Sequence, residues 1–314
     1  MRECRTASHA GARAWLAGIT AHVLMLSVVT SGLLHAQYLR PRDVDTLPAR
    51  PADLRLPYGT DSLQFGDLRL PVGAGPFPLA IVIHGGCWVS RFASLQNTAA
   101  MADALREAGV ATWNIEYRRL DHPGGGWPGT FTDVADAADF VLQLAGRFPI
   151  DTGNVIAVGH SAGGHLALWL GGRTGLSTGS ALHRPNPIAL RAVVALGGPG
   201  DLRDFTGYAE RICGEPVIEQ LFGGSPAAVP DRFDQGSPRS LLPMGIRQLL
   251  IVGEADRVMP APSREAYAAA ARAAGDPVEV VVIPGAAHFE VIAPVAAAWP
   301  TVRATLLALL GPRP

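Results

Sequence analysis

A chain of 314 residues, 48% of them hydrophobic, has the length for one large domain or two small ones with a sizeable core, and nothing in it repeats at a fixed period. A formal net charge of −1 without a basic block gives no electrostatic footprint for nucleic acid or an anionic membrane surface, and points to a neutral or modestly polar partner. All 26 basic residues are arginine, so Schiff-base chemistry, SxxK serine enzymes and the P-loop lysine are excluded together.

Residues 1–36 carry Arg2, Arg5 and Arg13, then a mostly apolar run over 15–34, then Leu34-His35-Ala36 before Gln37. This pattern reads as a secretory signal peptide cleaved near Ala36. The run is also long enough for an uncleaved anchor, the one route by which a membrane becomes a partner, and a buried helix is a third reading. Cys4 leaves with the signal, so the exported form holds Cys87 and Cys213. In an oxidising compartment the two could pair, but sequence does not set them within bonding distance, and the expectation is two free, buried thiols.

Residues 37–57 are rich in Pro, Arg and Asp without an apolar period, and read as a surface linker into a domain spanning 58–314. Leu63, Phe65, Leu68 and Leu70 give a broken alternation that predicts an early antiparallel hairpin. Apolar runs at 79–83, 110–117, 155–158, 192–196, 248–252 and 278–283 predict strands. Helical spacing at 95–108, 132–148, 161–171, 263–274 and 291–310 predicts the helices between and after them. Short apolar strands alternating with helices predict an α/β fold, a doubly wound, mostly parallel sheet covered on both faces. Ligands on such a sheet bind beyond the carboxyl ends of the strands, where the polar motifs of this chain fall.

The chief motif is Gly159-His160-Ser161-Ala162-Gly163-Gly164, between a predicted strand and a predicted helix. Small residues on both sides allow a sharp turn that pushes Ser161 Oγ out of the sheet while the Ala162 amide faces the same space. His84-Gly85-Gly86-Cys87-Trp88 follows the strand at 79–83. Two glycines there let backbone amides point into a cavity, so Gly85, Gly86 and Ala162 are the candidate oxyanion donors. His84 reads as a structural group holding the loop. Trp88 and Cys87 are candidate pocket residues, with plain aromatic packing the other reading for Trp88.

A serine at its ordinary pKa needs a base, and the base an orienting acid. His288, in Gly285-Ala286-Ala287-His288, is the histidine that combines a late position with a loop after a strand. His160 and His165 flank the serine on a turn that aims them into the packing. Asp256, in Gly253-Glu254-Ala255-Asp256, follows the strand at 248–252 and is the preferred acid; Glu254 is its rival, and Asp201 reads as a turn cap.

With these motifs in this order from about residue 57 onward, and with Glu116-Tyr117-Arg118 at a strand end, the chain resembles the α/β-hydrolase superfamily. Within it the chain is most similar to the HGG-bearing esterases grouped with bacterial carboxylesterases, hormone-sensitive-lipase-like enzymes, feruloyl-esterase-like domains and kynurenine formamidases. Cys87 stands where HGGxW motifs often carry tyrosine or a small residue. By resemblance, residues 200–247 form a small cap insertion whose Phe205, Tyr208, Ile212, Leu221, Phe222 and Phe233 shape the pocket; core packing of a helical insertion is the alternative. The expectation is an exported serine hydrolase acting on small-molecule carboxylic esters through Ser161, His288 and Asp256, with no metal or organic cofactor. Arylformamidase chemistry uses the same constellation and is the nearest rival. A non-catalytic binding protein on the same scaffold is the other.

Overall fold

In the computed structural model, which describes residues 38–311, the alternating apolar runs become one eight-stranded sheet. The export segment read at 1–36 lies outside the described residues. In chain order the elements are α1 (Pro41–Asp45), β1 (Leu54–Pro57), β2 (Phe65–Arg69), β3 (Phe77–Ile83), α2 (Ala99–Glu107), β4 (Ala111–Ile115), α3 (Gly129–Asp139), α4 (Val141–Ala145), β5 (Ile150–His160), α5 (Ala162–Gly172) and β6 (Ala192–Leu196). Then come α6 (Leu202–Cys213), α7 (Val217–Phe222), α8 (Pro230–Gly236), β7 (Arg247–Gly253), α9 (Ala261–Ala273), β8 (Val278–Ile283) and α10 (Trp299–Leu309).

The strand order is β1-β2-β4-β3-β5-β6-β7-β8. β1 pairs antiparallel with β2 and β2 with β4, and every later pairing is parallel. The strands read as continuous apolar runs because both faces are covered. Ile81 and Ile83 of β3 and Val193 and Ala195 of β6 join the core that contains α3, α4, α5 and α6. Their neighbours Ala80, Val82, Val194 and Leu196 point the other way, into a second core with Met101 and Leu105 of α2 and Trp299, Val302 and Leu306 of α10. β3, β5, β6 and β7 end side by side, so the loops that follow Ile83, His160, Leu196 and Gly253 converge on one rim.

Three boundaries differ from the sequence reading. The expected linker at 37–57 contains α1, with Val44 buried, and β1, which pairs with β2. Long-range contacts fix it: Asn97 Nδ2 donates to Asp45 Oδ1 at 3.0 Å, and the Leu39 amide to Glu290 Oε1 at 2.6 Å. The helix expected over 132–148 is two segments, α3 and α4. The one expected over 291–310 begins only at Trp299, since Pro294 cannot sit inside a helix while Pro300 suits a first turn. Residues 200–247 hold α6, α7, α8 and a 3-10 turn at Pro238–Leu241.

Candidate active site

β5 runs to His160 and α5 starts at Ala162, leaving Ser161 alone in the turn with φ 54° and ψ −120°. A left-handed φ costs a non-glycine residue about 1–2 kcal/mol, so the surroundings must enforce it. The Ser161 amide donates to Leu196 O at 2.9 Å, and its carbonyl accepts from the Gly164 and His165 amides. Glycine is obligatory at the crossing behind it: a Cβ on Gly163 would lie 2.2 Å from the Ile83 carbonyl oxygen. α5 is therefore pressed against the end of β3, and the loop that follows this strand carries Gly85 and Gly86. A Cβ on Gly85 would come within 2.9 Å of Ser161 Cβ. Ala162 is the first residue of α5, where helix amides have no intrahelical acceptor.

The loop after β7 turns at Gly253, and Asp256 Oδ1 accepts from the Val258 and Met259 amides at 2.7 and 3.0 Å. Its other oxygen, Oδ2, lies 2.8 Å from His288 Nδ1. Both side chains are buried, and they meet against Gly197, just beyond β6: a Cβ there would fall 2.9 Å from Asp256 Oδ2 and 3.0 Å from His288 Nδ1. Burial works against the charge on Asp256, but the hydrogen bond and charge of His288 and the two amides outweigh it and hold the carboxyl below its ordinary value. Glu254 instead takes the Gly285 amide at 3.2 Å from an exposed position. Of the two carboxylates, geometry thus joins Asp256 to the imidazole.

Ser161 and Ala162 open on a cavity of about 20 Å³ lined by Cys87, Trp88, Gly197, Pro199, Phe205, Ala209, Ile212, Cys213 and Val258. Its walls are almost wholly apolar. The space beside Ser161 is narrow. A cleft of about 370 Å³ lined by Arg50, Val72, Arg106 and Glu107 contains none of the expected site residues.

Beneath the glycine loop, His84 is fully buried and stacked on Tyr117 with ring centroids 4.5 Å apart. Its Nδ1 faces Gly85 O at 2.8 Å and its Nε2 faces Glu116 Oε1 at 2.9 Å, while Tyr117 donates to His84 O. Burial tends to raise the Glu116 pKa, but His84, Arg119 and the Tyr117 amide bring it down to about 2. The loop that presents Gly85 and Gly86 thus rests on an ionised carboxylate.

Residues 67–269 match BD-FAE, an α/β-hydrolase esterase family. The chain belongs to the BD-FAE family. The chain is 28% identical over 111 residues, 35% of its length and 26% of the relative, to a probable isoprenylcysteine alpha-carbonyl methylesterase of Oryza sativa subsp. japonica. It is 31% identical over 154 residues, 44% of its length and 6% of the relative, to a non-reducing polyketide synthase of Stereocaulon alpinum. It thus spans about a quarter of one of these curated relatives and far less of the other. Among solved structures, a truncated carbohydrate esterase from gut microbiota superposes with a TM-score of 0.69 at 23% identity, covering 82% of this chain and 98% of that one. That likeness bears on the fold, an α/β-hydrolase sheet.

For this BD-FAE chain one sequence expectation is corrected. Cys87 and Cys213 are not free thiols but a disulfide, with Cα atoms 6.1 Å apart across a separation of 126 residues. α6 folds back over the glycine loop and returns its last residue to Cys87, a tertiary placement that spacing does not encode. Phe205 and Ile212 of the expected cap line the cavity, whereas Leu221, Phe222 and Phe233 are fully buried in the core beside Phe131. Gly197, Pro199, Ala209, Cys213 and Val258 were missed. Gly197-Gly198-Pro199 directly after a parallel strand was the available signal. His160 and His165 are buried and neutral: burial holds their pKa values down to about 3 and 4, and their Nε2 atoms donate to His288 O and Gly236 O. Asp201 N-caps α6 through the Arg203 amide.

Proposed function

We propose that this chain is an exported serine hydrolase that cleaves small carboxylic esters through an acyl-enzyme. The observation that carries the reading is that the end of β6 meets both partners, the Ser161 amide donating to Leu196 O and the Asp256–His288 pair lying against the next residue, Gly197. Ser161 Oγ attacks the ester carbonyl while His288 Nε2 takes its proton. Asp256 accepts the Nδ1 hydrogen and holds the tautomer that leaves Nε2 free to act. The negative oxygen of the tetrahedral intermediate is met by the amides of Gly85, Gly86 and Ala162, each donor of this kind contributing ~10²–10³ in turnover. Collapse expels the alcohol, protonated by His288. Water then attacks the acyl carbon with His288 again as base, releasing the acid and restoring Ser161.

Export is supported by the N-terminal pattern and by the disulfide, a bond that persists in oxidising compartments. Among the described residues no helix is long and apolar enough to cross a membrane. The narrowness of the cavity favours a second reading, transfer of a formyl group from an arylformamide, since formyl is the smallest acyl group. Both readings are tested by measuring hydrolysis of p-nitrophenyl esters of increasing chain length beside an N-formyl aniline, with wild type and Ser161→Ala. Acetate turnover that drops at least ~10⁴-fold in the variant supports the esterase. Cleavage of the formyl amide alone replaces it with the formamidase.

A further inference from the structure

Resting on the esterase reading, we propose that the Cys87–Cys213 disulfide sets the acyl-chain length this enzyme accepts, by clamping α6 down as the wall of the acyl cavity. Four of the residues lining the cavity, Phe205, Ala209, Ile212 and Cys213, come from successive turns of one face of α6. Cys87 and Trp88 line the cavity as well, following Gly86 at φ 52° and 56°. Two consecutive non-glycine residues in the left-handed region need an external restraint. The bond from Cys87 to the last residue of α6 supplies it, while Leu120 N holds Trp88 O at 2.8 Å.

Space for a longer chain exists nearby. A groove of about 580 Å³ is lined by Asp204, Phe205, Tyr208 and Arg211 of α6 and by Pro260, Pro262 and Ser263 at the start of α9. Phe205 borders both groove and cavity, so the position of α6 decides whether the two are separate or continuous. The first end of α6 is held by the Asp201 cap and by the Leu202 amide on Ser237 Oγ at 3.0 Å. The other end is held covalently by Cys213, aided by Tyr208 Oη donating to Arg257 O at 2.5 Å. Opening the disulfide leaves the Cys213 end to noncovalent contacts such as the Arg91–Glu215 ion pair, so the stretch of α6 that separates the two spaces, with Ala209 and Ile212 on the cavity and Tyr208 and Arg211 on the groove, is free to shift and join them.

The test compares kcat/KM for p-nitrophenyl acetate and octanoate in wild type, in the double variant Cys87→Ala with Cys213→Ala, and in folded wild type treated with a dithiol. The dithiol leaves as its own cyclic disulfide, passing two electrons and two protons to the two Sγ atoms. Free thiols and both rates are read in the same sample, below the thermal transition, so a double variant that does not fold leaves the reduction arm decisive. The expected result is an octanoate-to-acetate ratio at least tenfold higher once the bond is open; plain loss of fold depresses both rates and leaves the ratio alone. A ratio indifferent to the bond, with acetate turnover still dependent on Ser161, overturns this inference alone. Wild type that cleaves no ester overturns it together with the reading beneath it.

Discussion

Two carboxylates separated by one residue, Glu254 and Asp256, take different partners because the chain turns at Gly253 and buries the second. Asp256 holds His288, and Glu254 faces solvent and holds the Gly285 amide. Asp256→Asn should therefore lower kcat on p-nitrophenyl acetate by ~10⁴-fold, because an amide favours the wrong imidazole tautomer. Glu254→Gln should leave it within about twofold; equal losses in both would contradict the assignment. Glu116 gives a second residue-scale prediction. Its carboxyl ionises near 2 in the fold against 4.5 for the ordinary group, so its contribution is complete above about pH 4.5 and is lost as pH falls to about 2. The amount is on the order of 3 kcal/mol. Urea midpoints between pH 2 and 5 should fall more steeply for wild type than for Glu116→Gln, and parallel slopes would show that the carboxylate is not the cause.

Elements were legible wherever burial on both faces forces a continuous apolar run, as in β3, β6 and β7. The motifs of the site were legible for a related reason: glycines at strand ends are needed locally, so Gly85, Gly86 and the glycines around Ser161 announce their own turns. What long-range partners decide was not legible. α1 exists because Asn97 and Glu290 hold it, and the disulfide because α6 crosses back over a loop 126 residues earlier. Gly197, at the tip of β6, belongs to this scale as well. Gly197→Ala would place a methyl against Asp256 and His288 at a φ of 62°. A displacement of that pair by a few tenths of an ångström should lower kcat, by less than the ~10²-fold that a shift of about 1 Å costs. The Tm should fall by only a few degrees, as expected for about 1–2 kcal/mol of backbone strain. Unchanged kcat would mean that the pair does not need its position.

At the scale of the molecule, one face of the sheet carries α3 to α8, and the other carries α2 and α10 with none of the expected site residues among its core. The disulfide closes a loop of 126 residues on the first face, and its removal should lower unfolding free energy by about 2–5 kcal/mol, read from urea unfolding of the double alanine variant. The proposed reaction turns on Ser161 as its nucleophile. Its most direct test is labelling of the folded protein with an active-site fluorophosphonate, followed by peptide mass mapping. A single adduct on Ser161, absent in Ser161→Ala and strongly slowed in His288→Ala, is the predicted result. No adduct on Ser161, with ester turnover persisting in Ser161→Ala, would contradict the account.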